Sequence, residues 1–180
     1  MYTGEKIGLR DVREEDVLRA WELVNDPDVK RYLHPGIPFP IPLHEEKEWL
    51  HRQSAFNNDG KYNFAIELLE SGEYIGGCGV NQVDWKNRYA VVGIFLGKPY
   101  WNKGYGTDAM NVLVRFIFEQ MNMNKVQLFT YAFNPRAIRS YEKCGFKVEG
   151  ILRQHIFRDG AYHDEYVMSI LHDEYVASKK

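Results

Sequence analysis

The chain has 180 residues, of which 44% are hydrophobic and 27% are charged, as is typical of one ordinary globular domain with a substantial core. Its formal net charge of −2 gives no reason to expect nucleic acid or an acidic membrane as a partner. The sequence contains no apolar stretch of membrane-spanning length and no signal-peptide pattern at its start. We therefore expect a single domain over residues 1–180 and a cytoplasmic location.

The first sixty residues mix helical and loop patterns. Residues 6–11 predict a short strand, and apolar residues within 17–24 recur at helical spacing. Four prolines within 35–42 exclude a helix or a central strand. Because this segment is also apolar, we expect a stiff, packed loop. Residues 44–56 then return to a helical pattern.

Strand patterns dominate from residue 62 onward. Strands are predicted at 62–69, 74–85, 88–96 and 126–132. Helices are predicted at 107–121 and 135–144. Two final strands flank Asp159-Gly160, because Asp-Gly between β-rich runs is a strong hairpin signal. The order is a β-meander, then β–α–β–α, then a hairpin, which predicts a mixed α/β sheet.

Residues 100–107, which read YWNKGYGT, form the most informative segment. It follows the strand pattern and directly precedes the helix pattern at 107–121. Gly104 and Gly106 allow the backbone to approach a ligand closely. The N–H groups and positive dipole end of the helix then favour phosphate oxygens. Since two glycines also suit a simple turn, this motif needs a second signal.

The second signal is the segment 134–146. Asn134 followed by proline is a good helix start, and Gly145 is a good helix end. Asn134 and Tyr141 are two helical turns apart, so they point in the same direction. Each also has an ordinary structural interpretation, with Asn134 as a helix cap and Tyr141 as a core aromatic residue.

The two motifs in this order and spacing resemble the GNAT superfamily of N-acetyltransferases, in particular the RimJ/RimL-like branch of ribosomal-protein N-terminal and spermidine acetyltransferases. The resemblance runs over nearly the whole chain, from Leu9-Arg10-Asp11 to Arg158-Asp159-Gly160. It implies a single-domain acyl-CoA N-acyltransferase fold with acetyl-CoA as cosubstrate. It also implies a primary amine acceptor, either a protein N-terminus or a small amine such as a polyamine. Homodimers are common in this family.

The resemblance also assigns roles to individual residues. The backbone amides that would hold the CoA pyrophosphate are those of Lys103, Gly104, Tyr105, Gly106 and Thr107. The backbone of Ile94, Phe95 and Leu96 would pair with the pantetheine arm like an added strand. Asn134 would contact this arm, and the Tyr141 hydroxyl would lie near the thioester sulfur as a proton donor.

The weak point of this interpretation is the general base, which is the residue that would take a proton from the acceptor amine. Relatives often carry a glutamate in an Ala-Glu-hydrophobic-Gly pattern, where this chain has Val91. Glu67 or Asp84 could take the proton instead, although Glu67 alternates with apolar neighbours and also suits a solvent-facing strand position. Alternatively, the acceptor has a low pKa, as an N-terminal α-amine does, or the chain is an acyl-CoA-binding regulatory module with little or no catalytic activity.

The acceptor is expected to bind between the proline loop and the last hairpin. The side chains available there are those of Tyr32, His34, Phe39, His155, Arg158 and Tyr162. The six histidines show no metal-ligand spacing, so we expect no metal site. Cys78 and Cys144 are expected to be buried thiols rather than a disulfide.

Overall fold

The computed structural model of this chain describes residues 1–33, 35–53 and 60–179. The strands within these ranges are β1 (Tyr2–Thr3), β2 (Ile7–Arg10), β3 (Tyr62–Leu68), β4 (Tyr74–Asp84), β5 (Tyr89–Leu96), β6 (Lys125–Tyr131), β7 (Lys147–Arg158) and β8 (Ala161–Leu171). The helices are α1 (Asp16–Asn25), α2 (Pro27–Leu33), α3 (Leu43–Gln53), α4 (Tyr105–Glu119), α5 (Pro135–Lys143) and α6 (His172–Ser178). The predicted mixed α/β fold is confirmed.

The predicted elements occur in the expected order, with ends close to those expected. The end of the predicted helix at 44–56 lies partly outside the described residues. The sequence pattern does not predict β1 or α6, because both are too short to show a period. At α6, the Glu174 carboxylate accepts a hydrogen bond from the Leu171 N–H (3.0 Å), and Tyr175 packs on Phe118 with ring centroids 4.9 Å apart. Tertiary contacts therefore define this last helix.

The eight strands within the described ranges form one sheet in the order β1-β2-β3-β4-β5-β6-β8-β7. The β3–β4–β5 meander is antiparallel, as predicted. Strands β5 and β6 are parallel, and their pairing covers only Tyr89↔Lys125, Ala90↔Val126 and Val91↔Gln127. Beyond this point β5 continues along β4, and β6 continues along β8. The two strands therefore diverge after Val91.

Helices cover both faces of the sheet. The larger core lies on the α4 face, because residues spaced three or four apart along α4 are completely buried there. These residues are Ala109, Met110, Leu113 and Ile117. On the opposite face α1 packs Ala20 and Leu23 against Tyr74. In the described part of the chain, no helix is both long and apolar enough to cross a membrane.

A buried ion network joins β2 to α1 and β3. The Arg10 guanidinium donates to both carboxylate oxygens of Asp16, at 2.7 and 2.8 Å, and to the Glu67 carboxylate. These carboxylates raise the pKa of Arg10 above its usual value. The side chain of Glu67 is only 14% exposed, so the expectation of a solvent-facing position was wrong. Both carboxylates balance the charge of a buried arginine.

The proline loop differs from the packed loop that was predicted. The side chains of Ile37 and Phe39 are 86% and 73% exposed. The loop is fixed mainly by its backbone instead, since the Ile41 carbonyl accepts from Trp21 Nε1 (2.6 Å) and from the Asn25 side chain (3.0 Å). The Lys30 ammonium donates to the Phe39 carbonyl at 2.7 Å. An apolar composition therefore does not make this loop part of the core.

Candidate active site

The divergence of β5 and β6 opens a cavity of about 620 Å³, here called the cleft. One wall is the edge of β5 from Val91 to Leu96, and the other is the end of β6 from Phe129 to Tyr131. The glycine turn and α5 line one end, and residues of α2 line another part. A short parallel pairing followed by separation thus creates the site, because neither strand fills the gap that opens between them.

The glycine turn lies at the N-terminus of α4, as predicted, but the helix begins at Tyr105 rather than at Thr107. Gly104 precedes it with φ +85°, a left-handed conformation that favours glycine. No side chain caps the first turn of α4. The first N–H groups of a helix need partners outside the helix, so this uncapped end provides donors and a positive dipole for an anion.

Asp108, in the first turn of α4, bonds to the segment that leads into β2. Its carboxylate accepts hydrogen bonds from the backbone N–H groups of Glu5 (3.1 Å), Lys6 (2.7 Å) and Ile7 (3.1 Å). The Lys6 ammonium also donates to the Lys103 carbonyl at 3.3 Å. The start of β2 is therefore tied directly to the glycine turn.

The edge of β5 in the cleft is a strand edge that β6 does not pair beyond Val91. A strand edge presents backbone N–H and C=O groups in a regular row. One of these groups is occupied, because Trp101 Nε1 donates to the Leu96 carbonyl at 2.7 Å. An extended amide-bearing molecule could pair with the remaining edge as an added strand.

Helix α5 supplies the polar side of the cleft. Asn134 caps it, since its side-chain oxygen accepts from the Ala137 N–H at 3.3 Å, and Asn134 also lines the cleft. Arg139, Ser140 and Lys143 line the cleft as well. The cap interpretation of Asn134 is therefore confirmed, and the two basic residues add positive charge beside the α4 N-terminus.

Tyr141 lines the cleft and packs its ring partly against the main core. Burial raises the pKa of its hydroxyl to about 12, with a smaller contribution in the same direction from Cys144. Arg136 opposes this shift. The hydroxyl consequently keeps its proton throughout the physiological pH range, which is the form needed for a proton donor.

A cation and two aromatic rings lie together in the cleft. The Arg136 guanidinium lies 3.4 Å from the centroid of the Trp101 ring and 5.7 Å from that of Tyr32. Tyr32 and Trp101 meet edge to face, with centroids 6.1 Å apart. Burial lowers the pKa of Arg136 from its usual value. These contacts join α2, the glycine turn and α5 across the cleft.

The cleft also contains a carboxylate that sequence reasoning missed. Glu165 on β8 is only 7% exposed and lines the cleft. It lies opposite Tyr131 of β6 in the sheet. Burial raises the pKa of Glu165, while His155, with Nε2 3.6 Å from Glu165 Oε2, opposes that shift. No sequence motif marks this residue, because the β6–β8 pairing that places it here cannot be inferred from one sequence.

Most of the residues predicted to bind acetyl-CoA or to assist the transfer lie on the wall of the cleft. They are Ile94, Phe95, Leu96, Gly104, Gly106, Thr107, Asn134 and Tyr141. Lys103 and Tyr105 belong to the same turn, although their side chains do not line the cavity. The candidate bases Glu67 and Asp84 also lie outside the lining. Glu67 pairs with Arg10, and Asp84 accepts hydrogen bonds from Asn87 in a surface turn.

The predicted acceptor residues separate into two groups. Tyr32 lines the cleft, and His155 and Arg158 lie beside Glu165 and Tyr131 respectively. Phe39 and Tyr162 are largely exposed and do not line the cleft. His34 lies outside the described residues.

Cysteines and metal ligands complete the inventory of reactive side chains. Cys78 is buried and Cys144 is partly buried, and both are free thiols, as predicted. Among the described residues, no group of three or more His, Cys, Asp and Glu side chains is arranged to hold a metal ion. The reactive side chains that line the cleft include Tyr141, Arg136 and Glu165.

A mixed sheet that splits between two parallel strands, with an uncapped helix N-terminus at the split, is the arrangement expected from the resemblance to acyl-CoA-dependent acyltransferases. The chain belongs to the GNAT acetyltransferase family, because residues 6–147 match the acetyltransferase (GNAT) domain. This confirms the resemblance inferred from the two motifs and identifies the protein as an N-acetyltransferase.

Similar proteins support the same assignment over the full chain. The uncharacterized N-acetyltransferase p20 of Bacillus licheniformis is 30% identical over 176 residues, which is 97% of each chain. The spermidine N(1)-acetyltransferase of Escherichia coli K12 is 27% identical over 180 residues, covering 100% of this chain and 94% of the relative. A crystal structure of spermidine N-acetyltransferase from Vibrio cholerae in complex with CoA and spermine has a TM-score of 0.84 and 25% identity, covering 94% of this chain and 98% of the other.

Proposed function

We propose that this chain transfers an acetyl group from acetyl-CoA to a primary amine, and that residues 1–180 act as one cytoplasmic domain. The observation that carries the proposal is the cleft between β5 and β6. It has an uncapped helix N-terminus and basic side chains at one end, which suit a phosphate-bearing donor. It also contains a buried carboxylate, Glu165, which suits a cationic acceptor.

The residues present fit acetyl-CoA as the donor. The backbone amides of residues 103–107 would hold the pyrophosphate at the start of α4, with Arg139 and Lys143 adding positive charge. The edge of β5 at residues 94–96 would pair with the amide-bearing pantetheine arm. Asn134 lines the same wall and would contact this arm.

Two groups would then assist the transfer itself. A backbone N–H of β5 directed at the thioester carbonyl would stabilise the negative charge that develops on its oxygen. Such a donor contributes about 3 kcal/mol in other enzymes. The Tyr141 hydroxyl, which keeps its proton because burial raises its pKa to about 12, would protonate the sulfur as the C–S bond breaks.

A polyamine is the acceptor that the comparisons favour, and a protein N-terminus is the alternative. Two relatives matched over nearly the whole chain are named spermidine acetyltransferases. An aliphatic amine has a pKa of about 10, so it must lose a proton before it attacks at neutral pH, whereas an N-terminal α-amine has a pKa of about 8. A polyamine therefore places a greater demand on a base.

A second candidate function is acyl-CoA binding with little or no turnover. It is favoured by Val91, which lines the cleft at the position where relatives often carry a glutamate. A valine cannot accept a proton, so a chain with no other base would bind the donor but transfer acetyl groups slowly.

The test is the release of free thiol from acetyl-CoA over a panel of amines: spermidine, N-terminal peptides, amino acids and an aminoglycoside. Acetyl-CoA binding is measured in parallel by calorimetry. We expect binding together with fast thiol release for spermidine. Binding without release for any amine would favour the second candidate, and absence of binding would contradict both.

A further inference from the structure

Because Val91 cannot accept a proton, another group would have to take the proton of the acceptor amine. The register of the sheet shows which side chains lie on the same face as Val91. Paired residues point to the same side of the sheet, and every second residue along a strand points to that side again. Val91 pairs with Gln127, and Gln127 and Tyr131 are four residues apart on β6. Tyr131 pairs with Glu165. Val91, Tyr131 and Glu165 therefore point to one face of the sheet.

This common face lies opposite α4. Val92, Leu128 and Met168, which alternate with residues of the Val91 face, belong to the core under α4. Phe95, on the same face as Val91, instead packs against the cluster that contains α1. A carboxylate on this face can thus meet an acceptor that approaches from the side of α1 and α2, while the phosphate groups of the donor are held at α4.

Glu165 also occupies a different position along the cleft from Val91. Four residues of β6 span about 13 Å, and β5 and β6 have separated over that length. The carboxylate thus lies toward the open part of the cleft, beside Tyr131. In place of a glutamate on β5, the chain presents one from β8 into the same cavity.

The surroundings of Glu165 suit a group that exchanges protons. Its side chain is 10% exposed, whereas that of His155, 3.6 Å away, is 55% exposed. Tyr131 and Arg158 are further charged or titratable groups beside this region, and His163, two residues from Glu165 on β8, lies on the same face of the sheet. Burial and the charge of Glu165 raise the pKa of Tyr131 to about 12, while Arg158 opposes that shift. Tyr131 is therefore neutral, and His155 connects the buried carboxylate to solvent.

We propose that Glu165 is the general base of the acetyl transfer and that His155 passes the proton on to solvent. This inference rests on the proposed function. An acceptor ammonium loses one proton to the Glu165 carboxylate, directly or through one water. The neutral amine forms the N–C bond, the C–S bond breaks, and the sulfur takes the proton of Tyr141. The nitrogen of the new amide loses its second proton to the medium, and Tyr141 takes a proton back from the medium. Together with the proton that Glu165 passes on, each turnover therefore releases one net proton.

The first test is Glu165→Gln, which keeps the shape of the side chain but cannot accept the proton. For spermidine at pH 7 we expect kcat/KM to fall at least 100-fold, within the usual range for general-base catalysis, with acetyl-CoA affinity unchanged. The deficit should shrink as the pH approaches about 10, because the free amine then forms without help. A deficit that is equal at every pH, or no deficit, would overturn the proposal.

The second test is His155→Asn, which removes the imidazole beside the Glu165 carboxylate. Because His155 opposes the rise in the pKa of Glu165, its removal should raise that pKa further. The acid limb of the kcat/KM profile should therefore move to higher pH, while the plateau changes less than in Glu165→Gln. An unmoved acid limb would remove His155 from the proton path.

The control is Glu149→Gln, which alters a β7 glutamate that bonds Ser169 and Lys125 outside the cleft. It should leave the pH profile unchanged. If the wild-type chain binds acetyl-CoA but acetylates no amine of the panel, the proposed function itself is overturned, and the role of Glu165 with it. Wild-type turnover with an unchanged profile in Glu165→Gln overturns the base assignment alone.

Discussion

The glycine-turn end of the cleft is made largely of backbone, whereas the proposed acceptor end is made of side chains from α2, β6, β7 and β8. At the first end, Gly104 and the uncapped start of α4 form the proposed anion site within one short segment. At the second end, Tyr32, Tyr131, His155 and Glu165 come from distant parts of the chain. The first end is sensitive to backbone conformation, and the second to individual functional groups.

If the proposed roles hold, this difference would allow one fold to keep its donor while its acceptor changes. A backbone-built site tolerates many side chains, provided that the turn and the helix start are kept. A site built from side chains changes its chemistry with each substitution. The proposed roles illustrate this point, because Val91 cannot accept a proton whereas Glu165 can, and neither residue belongs to the glycine turn.

The largest effect on the cleft is expected for Tyr141→Phe, which removes the proposed proton donor and leaves the ring. We expect kcat to fall by at least 100-fold, with the acetyl-CoA Kd nearly unchanged. Because the pKa of Tyr141 is about 12, the wild-type rate should show no alkaline decline from this group below about pH 11. Rapid-quench turnover and calorimetry measure the two quantities; an equal loss in both would mean that the hydroxyl serves binding.

A loss of stability rather than activity is expected for Glu67→Gln. This change weakens one of the buried contacts of Arg10 but leaves its two bonds to Asp16. We expect the free energy of unfolding to fall by about 1–3 kcal/mol and Tm by several degrees. Denaturant unfolding checks the first value. The pH–rate profile should keep its shape, and a displaced acid limb would restore Glu67 as a candidate base.

A smaller effect on the backbone-built end is expected for Gly104→Ala. Alanine at φ +85° is strained by about 1–2 kcal/mol, so the turn should relax and the acetyl-CoA Kd should rise about tenfold. Gly72→Ala is the matched control, because Gly72 has φ +71°, no neighbour within 4 Å of an added Cβ and no place in the cleft. It should lose similar stability at an unchanged Kd. Equal Kd values in both variants would mean that the turn does not hold the donor.

The smallest effect is expected for Trp101→Phe, which removes the indole N–H from the Leu96 carbonyl but keeps a ring under Arg136. A neutral hydrogen bond contributes about 1 kcal/mol, so we expect a change of no more than about fivefold in the KM for acetyl-CoA. Initial rates over a range of acetyl-CoA concentrations measure it. A loss above 100-fold would show that Trp101 does more than fix the edge of β5.

The same contrast between the backbone-built end and the side-chain-built end determines how much of the site could be predicted from the sequence. The glycine turn, the Asn134 cap and the hairpin at Asp159-Gly160 are local signals, and the structure contains all three. Glu165 and Tyr131 are 34 positions apart and meet only through the register of β6 and β8. A single sequence contains no signal for that pairing. For the same reason, the ion pair of Glu67 with Arg10 could not be foreseen.

The carboxylate of Asp108 connects the glycine turn to the beginning of the chain, since it accepts the N–H groups of residues 5–7. Those three amides therefore exchange with deuterium only when the turn and β2 separate. Bound acetyl-CoA should hold the turn in place and slow their exchange. Hydrogen-exchange mass spectrometry of the first ten residues would thus report occupancy of the proposed phosphate site.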